Sequence, residues 1–181
     1  TTFRNFCNYL RNIRYEYGIV TYPTRLHYFS YWIEQNTLTG IVREIVPQDS
    51  SVTEDSEYDI YYMSSNPEKY PALRKDTSLI DDISEMEKYF DGKTYRYIPK
   101  AKLKNPESLQ AYIKDGDIIA IVTNKKGLDI SHIGFAAWHK GNLHLLNASS
   151  IHKKVVEEPM SLYKYMMRHP SQTGIRIIRV L

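Results

Sequence analysis

The chain is 181 residues long, carries a formal net charge of +3 at pH 7, and is 42% hydrophobic and 25% charged. With no linker-like stretch or internal repeat, this reads as a single domain over 1–181 with a packed core. No apolar run approaches the ~20 residues of a membrane span, the basic residues are interspersed with acidic ones, which argues against a nucleic-acid partner, and the one cysteine excludes an internal disulfide.

Taken in chain order, Phe3, Phe6, Cys7, Leu10 and Ile13 follow helical spacing and predict an amphipathic helix over about 2–16, ending at Gly18. Cys7 lies on that apolar stripe, where a thiol packs as a small hydrophobe. "YPTRLHYFSYWIEQNTLTG" (22–40) predicts a second helix with Thr24 as N-cap and Leu26, Phe29 and Ile33 on its core face. "IVREIV" and "YDIYYMS" alternate as strands, with a polar loop between them. "SLIDDISEMEKYF" (78–90) reads as a helix and "TYRYIP" as a strand. "NPESLQAYIKDG" (105–116) has Asn as N-cap, Pro at the first helical position and Gly as stop. "DIIAIVTN", "DISHIGFAAWH" and "NLHLLNASS" are three consecutive strands, followed by a helix in "MSLYKYMMRH" and a terminal strand in "GIRIIRVL". Helices first and an antiparallel sheet later give an α+β fold.

The histidine within an otherwise apolar strand, His132, is the candidate catalytic residue. A two-residue turn at Lys140–Gly141 pairs His139 with Asn142, Trp138 with Leu143 and Ala136 with Leu145. That parity sets His132 and Asn147 on one face as diagonal neighbours, within reach of an imidazole–carboxamide contact. Gly134 reads as space left for that pair. An amide that orients a base is the logic of Cys-His-Asn hydrolases, although strand histidines also occur as hydrogen-bonded core residues. On the helix over 22–40, Arg25, Tyr28 and Trp32 share a second face with His27 beside it: a guanidinium fork for a carboxylate and aromatic faces for a sugar or peptide. Asp129 reads as a strand-edge turn residue, Ser131 as structural, and His139, His152 and His169 as solvated.

The stretch "GDIIAIVTN…DISHIGFAAWHKGNLHLLNASS" resembles the core of the NlpC-like superfamily of papain-like cysteine peptidases and amidases. "IRYEYG", "YPTRLHYFSYWI", "YYMSSNPEKYPAL" and "TGIRIIRV" extend the resemblance to an N-acetylmuramoyl-L-alanine amidase-like subgroup of bacterial cell-envelope enzymes. It implies an antiparallel sheet packed with helices in a papain-like, NlpC-type core, with His132 as general base and Asn147 as orienting residue. It further implies Arg25, His27, Tyr28 and Trp32 near the cleft, and a peptidoglycan or muropeptide substrate cut without metal or organic cofactor. The location implied is the cell envelope, periplasmic or exported. The family's nucleophile stands in an Asp-Cys-Thr-Thr-like motif at the start of an earlier helix. Nothing here matches that motif, so the resemblance implies that the nucleophile-bearing N-terminal part is absent from this chain. The other readings are a noncatalytic wall-binding module, a peptidase cutting within the stem peptide, and a glycosidase using carboxylates of "LIDDISEMEKYF".

Overall fold

A computed structural model describes residues 2–181. An eight-stranded sheet, antiparallel in every pairing, runs in the order β2–β3–β8–β4–β5–β6–β7, and β1 adds to β8. The strands are β1 (Val42–Ile45), β2 (Glu54–Glu57), β3 (Thr94–Pro99), β4 (Ile118–Thr123), β5 (Ile130–His139), β6 (Asn142–Ser149), β7 (Lys154–Glu157) and β8 (Gln172–Val180). The helices are α1 (Phe3–Arg14), α2 (Phe29–Leu38), α3 (Pro71–Lys75), α4 (Leu79–Lys88) and α5 (Leu162–Met167). The α+β architecture expected from the order of elements is therefore the one observed.

Three apolar clusters hold these parts together. One face of the sheet contributes Ile119, Ile121, Ala136, Leu143, Leu145, Ile175 and Ile177, which pack on Leu162 and Met166 of α5 and on Leu103 and Leu109. The opposite face contributes Ala120, Val122, Ile130 and Ile178 against Ile33 of α2. The third cluster lies off the sheet, where Leu26, Tyr28 and Tyr31 meet Met63, Leu73, Ile83 and Phe90. Each fully buried aliphatic side chain contributes about 1.5–3 kcal/mol of transfer free energy.

The β5–β6 hairpin positions the residues of interest. Lys140 and Gly141 both have positive φ (49° and 80°), the two-residue turn whose twist matches paired strands, and glycine removes the Cβ penalty at its second position. The register follows as read from the sequence, from His139 opposite Asn142 to Phe135 opposite Leu146. Against β4 the register shifts: Ile121 faces His132 but Val122 faces Ile130, leaving Ser131 as the extra residue of a bulge. Gly134 serves a different neighbour from the one its spacing indicated. A Cβ there would meet Leu145 Cδ1 and the Leu146 carbonyl oxygen at 2.7 Å, so the glycine permits the close approach of β6.

Four elements differ from the sequence pattern. The helix read over 22–40 starts at Phe29, not after Thr24. The Thr24 hydroxyl turns back to the Ile19 carbonyl (2.5 Å), Arg25 N–H closes a turn on the Tyr22 carbonyl, and Leu26 N–H donates to the Arg14 carbonyl, holding 22–28 outside the helix. The helix start is served instead by Asp129, buried and accepting from Ser30 N–H at 3.0 Å, so Asp129 caps α2 rather than serving a strand-edge turn. The stretch 58–64 is no strand, because Tyr61 and Tyr62 N–H go to the Gly127 carbonyl and those of Met63 and Ser64 to Glu87. Strand β2 forms instead in the preceding polar segment. Residues 105–116 make only a 3₁₀ turn, Pro106–Leu109. Beyond it the carbonyls of Tyr112 and Ile113 are taken by Arg179 and the Trp138 indole, which draws the chain onto the sheet. Helix α1, capped by the Thr2 hydroxyl, buries none of its residues: Phe3 is 81% exposed, and Cys7, expected in the core, is exposed.

Candidate active site

His132 and Asn147 meet across the hairpin, with His132 Nε2 at 3.0 Å from Asn147 Oδ1. A carboxamide oxygen only accepts, so Nε2 carries the proton and donates, which leaves Nδ1 with its lone pair. The amide is itself held. Asn147 Nδ2 donates to Glu158 Oε1 (3.0 Å) and to the Val156 carbonyl (3.3 Å), so the amide cannot turn over without putting oxygen against oxygen. Asn147 and Glu158 are 4% and 5% exposed, whereas His132 is half-buried. The result is a carboxylate–amide–imidazole chain that ends on a free ring nitrogen. Glu158 was missed in the sequence because it lies just past the end of β7, a strand the sequence pattern does not mark. The register places it there: β7 pairs Asn147 with Val156, two residues before Glu158.

Three clefts converge here. A mixed cleft of about 390 Å³ is lined by His27, Tyr28, Phe29, Met63 and Tyr70 and closes on His132. An apolar groove of similar volume runs beside it over Phe29, Trp32, Ile133, Phe135 and Leu146 and reaches Asn147. A smaller polar pocket opens at both His132 and Asn147.

The four residues expected to bind substrate are not on one helical face, since α2 starts too late for that. His27 lines the mixed cleft; its Nε2 donates to the Tyr22 carbonyl (2.9 Å), and burial, aided by the Arg25 charge and opposed by that bond, lowers its pKa, so it is neutral at pH 7. Tyr28 also lines it but is 3% exposed, with its hydroxyl donating to Glu87 (2.6 Å) and accepting from Met63 N–H (2.8 Å), so it shapes the wall without a free hydroxyl. Trp32 stacks on Phe29, centroids 4.8 Å apart, and lines the apolar groove. Arg25 is exposed beside Tyr15 and lines none of the three clefts. His169, read as solvated, is half-buried and lines the polar pocket. Cys7 borders none of the three. Among the described residues no cluster of His, Cys, Asp and Glu is arranged to hold a metal, and no helix is long and apolar enough to cross a membrane.

A family model described as AmiA-like, N-acetylmuramoyl-L-alanine amidase-like, matches residues 1–175. The chain belongs to this AmiA-like family. Solved structures agree with that membership. An N-acetylmuramoyl-L-alanine amidase from Bacteroides uniformis ATCC 8492, solved at 1.07 Å, matches with TM-score 0.92 and 36% identity over 99% of this chain and 75% of its own. A Bacteroides fragilis protein put forward as a xylanase matches at TM-score 0.91 and 38% identity, over 99% and 77%. Protein LPG0564 from Legionella pneumophila, 24% identical with TM-score 0.69 over 99% and 70%, shares the fold. No curated protein matches the chain.

Proposed function

We propose that this AmiA-like domain carries the base and substrate walls of a cysteine-dependent peptidoglycan amidase that cuts the N-acetylmuramoyl-L-alanine bond. The observation that carries the reading is the Glu158–Asn147–His132 chain, with Nδ1 left free at the junction of the clefts. The resemblance to NlpC-like enzymes and the amidase named among the solved structures supply the bond. The thiol comes from a segment outside these 181 residues. The apolar groove next to the mixed cleft, where Ile133 and Phe135 stand 44% and 47% exposed, offers such a segment a seat.

In the first half-reaction the thiolate adds to the amide carbonyl carbon. His132, protonated at Nδ1, gives that proton to the leaving nitrogen as the C–N bond breaks, and a thioester remains. Nδ1 then takes a proton from water as its oxygen attacks the thioester, and the thiolate leaves. Asn147 keeps the ring in the required tautomer throughout, and the Glu158 carboxylate keeps Asn147 from flipping. No step needs a metal or organic cofactor. The substrate places the enzyme in the cell envelope, periplasmic or exported.

The full-length protein, incubated with muropeptides, is expected to free an L-alanine amino terminus, to lose that activity to iodoacetamide, and to lose a hundredfold or more of it, on the order of a general base's contribution, in His132→Ala. New reducing ends, the products of a glycosidase, would overturn the proposal. So would peptide fragments cut within the stem, or muropeptide binding without turnover.

A further inference from the structure

The polar pocket at His132 has a chemical character of its own. About 210 Å³ in volume, it is lined by no Asp or Glu; its basic members besides His132 are Lys125 and His169. Lys125 is exposed and has no salt-bridge partner among the described residues. His169 is held in place: its Nδ1 donates to the Tyr165 carbonyl at 2.8 Å and its ring packs on Tyr165 at 4.5 Å, leaving Nε2 for the pocket. Tyr165 in turn lies 6.4 Å from the His132 ring, so the pocket is built against the imidazole. Gln172, 4% exposed, also lines it, and its Oε1 is buried with no hydrogen-bond partner. Leaving a buried acceptor unmade is costly, and a ligand N–H would satisfy it.

A free carboxylate next to an N–H is what a peptide residue with an unblocked carboxyl presents. In a muropeptide the muramoyl half is neutral once its lactyl carboxyl is amidated, while the stem peptide keeps free carboxylates. We propose, resting on the amidase reading above, that this pocket is the stem-peptide subsite. Lys125 holds the free carboxylate nearest the scissile bond, on the second stem residue, and Gln172 Oε1 and the His169 Nε2 lone pair accept peptide N–H groups. The muramoyl ring then lies on the aromatic wall of the neighbouring cleft, formed by Phe29 and Tyr70, and the scissile amide passes His132 between the two.

The test is calorimetric titration of the 181-residue chain with N-acetylmuramoyl-L-Ala-γ-D-Glu-L-Lys, its C-terminus amidated, in two forms: the glutamate α-carboxylate free, or converted to the carboxamide. The free acid is expected to bind about fivefold more tightly at low salt, the scale of one charge-assisted contact at a partly exposed site. Lys125→Glu is expected to abolish or invert that preference. Measurable but equal binding of the two forms, or equal weakening of both by Lys125→Glu, overturns the subsite and leaves the amidase reading standing. Binding of neither form also overturns the subsite, and the amidase reading is decided separately by the turnover assay on the full-length protein.

Discussion

Asn147 is the residue on which the site turns, because it faces an imidazole on one side and a buried carboxylate on the other. Asn147→Asp keeps the shape but sets a second carboxylate 3.0 Å from Glu158 Oε1. Two carboxylates sharing a buried site push at least one pKa above its unfolded value near 4. A group raised in this way costs nothing while protonated and costs more as the pH climbs. The variant is therefore expected to be nearly as stable as the parent at pH 4 and to fall progressively behind it by pH 8, read as urea midpoints at the two values. A constant deficit at both would show that the Glu158 side chain has turned away. The His132–Asn147 contact was legible in the sequence because strand parity and a two-residue turn decide it. Three residue-level facts were not. The carboxylate behind the amide came from just past the end of β7, Gly134 answered to Leu145 and Leu146, and the late start of α2 broke up the face shared by Arg25, Tyr28 and Trp32.

Elements whose backbone bonds close on themselves were readable, and those whose bonds go elsewhere were not. The strands of the β4–β5–β6 meander and β8 form where their short apolar runs mark them, β4 and β8 buried on both faces and β6 alternating. Helix α4 lies within the segment its spacing marks. The stretches 58–64 and 105–116 were misread because distant acceptors and donors, Glu87, Gly127, Arg179 and Trp138, compete for their backbone. Glu87 shows the strength of that competition. Its Oε1, on a side chain only 2% exposed, accepts from Tyr28 and from two backbone N–H groups, tying α4 to both loops that wall the mixed cleft. Glu87→Ala strands the Tyr28 hydroxyl and Ser64 N–H, leaving Met63 N–H only its bond to the Tyr28 oxygen, and is expected to cost about 3 kcal/mol in urea unfolding, whereas Glu87→Gln retains an acceptor oxygen and is expected to cost about 1 kcal/mol. Equal losses would mean that packing, not the accepted bonds, sets the cost. Gly134→Ala tests the hairpin in the same way. Its Cβ collides with a backbone carbonyl that cannot rotate aside, so a loss of about 1–3 kcal/mol is expected; a neutral outcome would mean that β5 and β6 separate freely.

At the scale of the whole molecule, the core is unusually phenolic. Sixteen tyrosines occur in the chain, and several of them tie surface-facing carboxylates to buried walls. Burial, reinforced by the hydrogen bond to Glu87, pushes the Tyr28 hydroxyl far above its ordinary range; burial and Glu16 do the same to Tyr31. Tyr97, half-buried and bonded to Glu54, is pushed up to about 12. In the unfolded chain each of these ionises near 10. A group whose folded pKa is raised contributes stability that is complete below the unfolded value and is lost as the pH rises from there toward the folded one. The urea midpoint is thus expected to be unaffected by these groups up to about pH 9 and to fall steeply between 10 and 12. Phenolate absorbance should develop in two steps: first the exposed rings such as Tyr9 and Tyr17, at 65% and 86% exposure, then the interior ones together with loss of the fold. Tyr28→Phe, which has no proton to lose, is expected to be less stable at pH 7 through its missing bond to Glu87, yet to lose less between pH 10 and 12 than the parent. A single titration step near pH 10 with the helical and sheet signals intact would mean that the interior phenols ionise in place, and that the cluster around α4 is open to water.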